Sequence, residues 1–171
     1  MMKLVEPLEI DENEFNEFVN EFKALNEKFV PYSIDQKDLD FQAYIRKLIR
    51  ESLGKDIPDN WVPASTYFLV NDEGKIFGAA SIRHRLTEGL RIEGGHIGYG
   101  IRPSARNQGY GTKILELALH KTDAMGIKKV LVTCYKDNSY SARIIQKNGG
   151  LFDSAVEKDN KIVQRYWIDF D

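Results

Sequence analysis

A glycine-containing segment, Gly98–Leu115, constrains this chain more than any other part of its sequence. Strand-like residues end near Ile101, and Pro103 ends strand pairing because proline has no N–H to donate. The run Arg106–Gly111, which reads Arg-Asn-Gln-Gly-Tyr-Gly, then leads directly into the periodic apolar pattern of a helix. A helix N-terminus presents unpaired backbone N–H groups and about half a positive charge. The segment therefore predicts a phosphate-binding site.

Three interpretations of this segment compete. It is compatible with a glycine-rich turn and helix cap that binds nothing. The run Gly109–Ile114 also approaches a dinucleotide fingerprint, but the third glycine is missing and only one more parallel strand follows. In the third interpretation the segment binds a diphosphate. The backbone at Gly109 and Gly111 has no side chain, so it can approach the diphosphate closely, and Arg106 adds a charge-assisted contact. A nucleotide-binding P-loop is excluded because G-x-x-x-x-G-K-[ST] is absent.

The order of the predicted elements gives the fold class. A helix begins at Asp11, and further helices span Asp40–Leu53, Gly109–Met125 and Ser139–Lys147. Strands are predicted at Lys3–Leu8, Thr66–Val70, Lys75–Arg83, Arg91–Ile101, Lys129–Cys134, Leu151–Val156 and Ile162–Phe170. This order indicates an α+β protein: a mixed, mostly antiparallel sheet flanked by helices, with a central strand–helix–strand crossover. No repeat or linker is visible, so we expect one domain over residues 1–171.

Composition excludes several function classes. With 24 basic and 26 acidic residues the formal charge is −2, which disfavours a nucleic-acid partner. The single cysteine, Cys134, cannot form an intrachain disulfide, and the three histidines lack metal-ligand spacing, so no metal is expected. No apolar run is long enough for a membrane span, and the N-terminus does not read as a signal peptide. We therefore expect a cytoplasmic protein with no membrane partner.

Four short motifs, each weak alone, occur in a specific order. They are Ile101-Arg102-Pro103, Arg106-x-x-Gly109-x-Gly111, Asn138-x-x-Ser141 and Lys147-x-Gly149. In this order and on these elements, the chain resembles the GCN5-related N-acetyltransferase (GNAT) family. The resemblance covers essentially the whole chain and is best over residues 97–150. It implies the GNAT-like acyl-CoA N-acyltransferase fold.

The resemblance implies acetyl-CoA as cosubstrate and a primary amine of a small molecule or peptide as acceptor. The acetyl group would move by direct attack in a ternary complex. The strand ending at Ile101 and the strand starting near Val130 would splay apart, and pantetheine would lie in the gap. The implied cofactor-binding residues are Tyr99, Ile101, Arg106, Asn107, Gln108, Gly109, Tyr110, Gly111, Thr112, Asn138 and Ser141. Asn138 also fits a helix N-cap.

Two residues are candidates for the general base. Family members often carry a glutamate where this chain has Gly95, and Glu93 and His96 flank that position. Both are expected on the strand before the predicted phosphate-binding run Arg106–Gly111, which we call the phosphate loop. A histidine imidazole ordinarily titrates near neutrality, which suits a general base. The position of the family's usual tyrosine acid is Ile145. Cys134 lies in an apolar strand and is interpreted as a core residue, not a nucleophile.

The acceptor is expected near the loops Lys28–Asp38 and Gly54–Ser65, with Tyr32 and Trp61 as wall residues. His84, Arg83 and Arg85, at the end of a strand, could guide an acidic acceptor or form a solvated basic cluster. The missing tyrosine keeps a second hypothesis open: a non-catalytic CoA-binding or regulatory module. The aromatic last strand is a possible homodimer contact.

Overall fold

The computed structural model of the chain describes residues 1–170. Its helices are α1 (Glu12–Ala24), α2 (Phe41–Ser52), α3 (Glu88–Ile92), α4 (Tyr110–Ala124) and α5 (Ser139–Lys147). Its strands are β1 (Lys3–Val5), β2 (Ala64–Val70), β3 (Ile76–Arg83), β4 (Ile97–Ile101), β5 (Lys129–Tyr135), β6 (Leu151–Lys158) and β7 (Lys161–Asp169). The predicted domain ends at Asp171, which lies outside the described residues, and the single-domain assignment stays a prediction.

The strands form two antiparallel sheets, ordered β1-β2-β3-β4 and β5-β7-β6. Helix α4 connects β4 to β5, as the predicted crossover requires, but these two strands share no ladder. They are joined just before β4, where the His96 N–H donates to the Leu131 carbonyl at 2.8 Å. In return, the Leu131 N–H donates to His96 Nδ1 at 2.9 Å. Beyond this join, β4 and β5 belong to different sheets and are not paired, which agrees with the splayed strands that the family resemblance implied.

Two apolar clusters cover the two faces of the first sheet. Alternate residues of a strand point to opposite faces, and on β2 Phe68 belongs to one cluster while Tyr67 and Leu69 belong to the other. The first cluster holds α1 and α2, and the second holds α4 and α5. Helix α4, on the side of the second cluster, packs directly on β4, along which the candidate site is built.

Helix capping follows the sequence closely. The side chains of Asp11 and Asp40 accept from the backbone of the third residue beyond them, Glu14 and Ala43, at the starts of α1 and α2. The predicted helices at Asp11, Asp40–Leu53, Gly109–Met125 and Ser139–Lys147 are confirmed to within one residue at most ends.

One predicted strand, Arg91–Ile101, is wrong over its first half. Arg91 and Ile92 finish the short helix α3, whose N-cap Thr87 accepts from the Leu90 N–H. Gly94 and Gly95 then take φ values of +110° and +61°, which extended strands do not use. The base candidates Glu93 and His96 consequently lie in a turn before β4 and not on the strand.

The last strand also differs from its predicted role. The final strand, β7, lies between β5 and β6, so both of its backbone edges are already paired. Pairing of this strand across a dimer is therefore excluded, and a homodimer formed through another surface stays a prediction. No helix within residues 1–170 combines the length and apolarity needed to cross a bilayer.

Candidate functional site

A buried arginine anchors the phosphate loop to α1. The Arg102 guanidinium donates to Glu14 and to Glu21, at 2.6 Å in each case, and to the Ile76 carbonyl at 3.0 Å. The Ser104 N–H and hydroxyl also donate to Glu21. Burial alone would raise the pKa of Glu21, but the hydrogen bonds from Arg102 and Ser104 outweigh it and hold that pKa below the ordinary value. The loop therefore leaves β4 in a fixed direction.

The N-terminus of α4 presents a row of unpaired donors. The first N–H bonded inside the helix is that of Lys113, which donates to the Gly109 carbonyl at 3.2 Å. The backbone N–H groups of residues 108–112 have no acceptor within the described protein. Gly109 has φ of +86°, and a Cβ there would meet nothing within 4 Å. This turn combines an exposed backbone with the positive end of a helix dipole, which is the chemistry of a phosphate site.

The second glycine of the loop, Gly111, has a different role from Gly109. A Cβ on Gly111 would lie 2.6 Å from Ile144 Cδ1, so the bare backbone lets α4 pack against α5. The bare backbone at Gly111 therefore faces α5 as well as the predicted diphosphate site, although a methyl group there would displace only the end of the Ile144 side chain. Gly109 is the glycine that faces open space.

Arg106 is engaged by the protein itself. Its guanidinium forms a bidentate pair with Glu27, at 2.9 Å and 2.6 Å, and lies over the Phe22 ring. The hydrogen bonds from Arg106 lower the pKa of Glu27. The geometry gives Arg106 a scaffold role, and its predicted phosphate contact finds no support in these bonds.

The other predicted loop residues surround the free N–H groups. Asn107 has a positive φ of 60°, and the Gln108 amide donates to the Ser104 carbonyl at 3.2 Å. The Tyr110 ring packs on Phe77, with a centroid separation of 4.7 Å. The Thr112 carbonyl accepts from the Asn148 side chain. These residues shape the loop mainly through their backbone.

A tyrosine hydroxyl lies buried without a partner beside the gap between β4 and β5. Among the described residues, Tyr99 Oη is the one buried side-chain polar atom with no hydrogen bond. Burial raises the pKa of Tyr99, and the Ser141 side chain, which lies close enough to act as a hydrogen-bonding neighbour, opposes this rise. Ile101 and Cys134 pack against the same apolar cluster as Tyr99. Burial raises the pKa of the Cys134 thiol, which argues against a thiolate nucleophile at this position. A buried hydroxyl without a well-formed hydrogen bond is costly, and a ligand bound beside Tyr99 can supply that bond.

The glycines on and before β4 do not all face a ligand. A Cβ on Gly100 would lie 2.0 Å from the Val30 carbonyl oxygen, and one on Gly95 would lie 2.4 Å from the Leu131 carbonyl oxygen. These two glycines are required by close approach of the protein's own backbone. Among these glycines, only Gly98, on β4, has room for a side chain. A Cβ placed there would lie 3.9 Å from Pro31 and from Arg83, which is an ordinary contact distance.

The pair Asn138 and Ser141 forms a helix cap. The Asn138 side chain accepts from the Ser141 N–H at 3.1 Å at the start of α5. The cap interpretation of Asn138 is confirmed, and the predicted contact of both residues with the cosubstrate stays a prediction.

His96 holds the two sheets together. It is 7% exposed, and its Nδ1 accepts the Leu131 N–H. A neutral imidazole has one donor and one acceptor nitrogen, so this bond assigns the ring proton to Nε2 and occupies the basic lone pair. Burial, reinforced by the charges of Arg91 and Arg83, lowers the pKa of His96 to about 4. A general-base role for His96 finds no support in this geometry.

Glu93 is placed differently, with its carboxylate at the wall of a cavity. The Tyr135 hydroxyl donates to Glu93 Oε1 at 2.8 Å, and Lys158 Nζ lies 3.4 Å from Oε2. That hydrogen bond is the main reason why the pKa of Tyr135 is raised. Sequence reasoning missed Tyr135 and Lys158, because they reach Glu93 from β5 and β6 and no local pattern links them to it.

The cavity next to Glu93 has a volume of about 460 Å³ and lies where the two predicted acceptor loops meet β3. Tyr32 and Trp61 form one wall, with ring centroids 6.3 Å apart and the rings edge to face. Its charged lining residues are Lys47, Glu51, Arg83, Glu93 and Lys158. The predicted wall residues Tyr32 and Trp61 are thus brought together at one cavity with Glu93.

A family model described as an acetyltransferase (GNAT) domain matches residues 4–150. The chain belongs to the GNAT acetyltransferase family. The predicted GNAT fold, the assignment as an acetyl-CoA-dependent N-acyltransferase and acetyl-CoA as cosubstrate are confirmed with it. A comparison with curated protein sequences gives no significant match.

Solved structures with this GNAT fold include three informative neighbours. A GNAT-family acetyltransferase from Streptococcus pneumoniae is 18% identical, with a TM-score of 0.66 over 100% of this chain and 99% of that chain. A variant of the spermidine N-acetyltransferase from Vibrio cholerae is 12% identical, with a TM-score of 0.64 over 99% and 94%. A ribosomal L7/L12 α-N-protein acetyltransferase in complex with coenzyme A is 15% identical, with a TM-score of 0.65 over 99% and 93%. At these identities the likeness shows a shared fold.

Proposed function

We propose that this GNAT enzyme transfers the acetyl group of acetyl-CoA to a primary amine held in the cavity beside Glu93. One observation carries the proposal: the chain runs from Glu93, at the cavity wall, through β4 to the row of free N–H groups at residues 108–112. The strand spans five residues, about 16 Å of extended chain. The acetyl donor would thus be held at one end of β4 and the amine acceptor at the other.

The residues present suit coenzyme A. The N–H groups of residues 108–112 would hold its diphosphate, with Gly109 leaving room for close approach. The orphaned Tyr99 hydroxyl beside the β4–β5 gap offers a donor to the pantetheine–thiol end of the molecule. When bound, acetyl-CoA supplies a thioester, an acyl group activated for attack by an amine.

Glu93 is the base in this proposal. An amine must lose a proton to attack, and the Glu93 carboxylate is oriented at the cavity wall by Tyr135 and Lys158. His96 does not compete for this role, because its Nδ1 lone pair is already bonded. Direct attack needs no covalent enzyme intermediate, which agrees with the raised pKa of the Cys134 thiol.

Release of free thiol from acetyl-CoA in the presence of a panel of primary amines tests the proposal. The panel should contain amino acids, their amides, dipeptides and polyamines, because the neighbours named above act on spermidine and on a protein α-amine. We expect thiol release that depends on the amine, with an acetylated product visible by mass spectrometry. Tight binding of CoA without turnover on any amine would instead favour the non-catalytic CoA-binding module.

A further inference from the structure

One cation at the wall of the acceptor cavity has no carboxylate partner. Arg83 ends β3 and lines the cavity. Its Nη1 donates to the Gly94 and Gly95 carbonyls, at 3.0 Å and 3.1 Å. Within residues 1–170, no carboxylate lies within 4.0 Å of this guanidinium, although burial makes its charge costly and lowers its pKa.

The other cavity cations are already paired. Lys47 lies 3.3 Å from Glu51, and Lys158 lies 3.4 Å from Glu93. The buried or half-buried arginines elsewhere also have carboxylate neighbours: Arg102 and Arg106 bond to glutamates, and Arg165 lies 3.8 Å from Asp153. With three cations and two carboxylates in the lining, Arg83 is the positive charge left over. A half-buried charge without a counterion is stabilised by an anionic ligand.

The Nη2 atom of Arg83, which is not hydrogen-bonded to the described protein, lies next to Gly98 of β4. It would lie 3.9 Å from a Cβ placed on Gly98, and Pro31 is at the same distance from that point. Both hydrogen bonds of the guanidinium use Nη1, and neither Nε nor Nη2 forms a hydrogen bond within residues 1–170, so the Nε–Nη2 edge remains as a planar pair of donors for a ligand. A guanidinium fork of this kind matches a carboxylate.

We propose that Arg83 binds a carboxylate of the acceptor, so that the acceptor is an amine that also carries an acid, such as an amino acid or a short peptide. This inference rests on the proposed acetyl transfer. Glu93 would receive the proton of the amine while Arg83 holds the acid group in the same cavity. A polyamine, which carries only positive charge, would be repelled by the unpaired guanidinium.

Matched pairs of amino acids and their amides test this subsite. With wild-type protein, kcat/KM for the acid should exceed that for the amide by about 10- to 100-fold, the range of a charge-assisted hydrogen bond. Arg83→Gln should remove this preference, by lowering kcat/KM for the acid far more than kcat/KM for the amide. Arg83→Lys, which keeps the charge but not the fork, should restore part of it. Arg85→Gln is the matched control, because Arg85 is exposed and lies outside the cavity lining.

Titration of the same pairs into CoA-saturated protein gives a second readout that needs no turnover. Equal use and equal binding of acid and amide by the wild type would overturn the inference while leaving acetyl transfer intact. Loss of acid and amide activity together in Arg83→Gln, with a lowered melting temperature, would assign Arg83 to the scaffold and also overturn it. Acid-selective binding with no thiol release from any pair would support the subsite and contradict the proposed transfer.

Discussion

The neutral His96 ring between the two sheets should make the fold less stable in mildly acidic solution. Its Nδ1 accepts the Leu131 N–H at 2.9 Å, which only an unprotonated Nδ1 can do. Burial, with Arg91 and Arg83 as nearby positive charges, lowers the pKa of His96 from 6.5 to about 4.

The sign and size of the effect follow from these two pKa values. Between pH 6.5 and 4 the unfolded chain binds a proton at His96 that the folded chain does not, so acid favours unfolding. The contribution to stability is present in full above the unfolded pKa and is lost as the pH falls toward the folded one. From pH 7 to pH 5 the loss at this residue is about 2 kcal/mol.

Urea unfolding of the wild type and of His96→Asn at pH 5, 6 and 7 measures this loss. The asparagine oxygen stands as many bonds from Cβ as Nδ1 does, so it can accept the Leu131 N–H without titrating. The wild type should lose about 2 kcal/mol relative to His96→Asn between pH 7 and pH 5. His120→Asn, on the exposed side of α4, is the control. Parallel pH profiles for the wild type and His96→Asn would refute the assignment of a neutral, bonded His96.

Three further substitutions probe the base, the helix contact and the buried ion pairs. Glu93→Gln should lower kcat by about 10²- to 10⁴-fold with the affinity for CoA retained, measured by thiol release and calorimetry. Gly111→Ala should change the free energy of unfolding in urea by no more than about 1 kcal/mol, because its Cβ would displace only Ile144 Cδ1, the end of a flexible side chain, and alanine favours a helix by about 1 kcal/mol over glycine. Arg102→Gln should cost about 3–5 kcal/mol, because it leaves Glu21 without its counterion. Thermal unfolding at unchanged temperature would contradict the last expectation.

Much of the fold was predictable because its signals are local. The N-cap side chains of Asp11, Asp40 and Asn138 begin helices where the sequence placed them. The phosphate loop was also predictable, since glycine placement and helix polarity are properties of a short segment. The failure over Arg91–Ile101 has a physical reason as well. Positive φ values at Gly94 and Gly95 allow the chain to pass from α3 to β4 within four residues. A turn this short produces no hydrophobic periodicity in the sequence by which it could be predicted.

The partners of the site residues were not predictable, because they come from distant parts of the chain. Arg106 reads as a phosphate ligand beside its glycines, yet Glu27 on the other side of the loop holds its guanidinium. From the sequence, His96 is a candidate base that titrates near neutrality. In the structure its Nδ1 lone pair accepts the Leu131 N–H, and burial lowers its pKa. Charge pairing and desolvation are tertiary properties, and they decide which of several candidate groups is free to react.

Calorimetric titration of CoA into the wild type, Gly109→Ala and Gly126→Ala tests the central claim, that the free N–H groups opening α4 hold the CoA diphosphate. Gly109 and Gly126 flank the same helix, have φ of +86° and +81°, and have open space where a Cβ would stand. Alanine should therefore strain both turns alike, by about 1 kcal/mol. We predict that Gly126→Ala binds CoA as the wild type does, whereas Gly109→Ala binds about tenfold more weakly, because its turn carries the phosphate donors. Equal dissociation constants for the three folded proteins would contradict the claim.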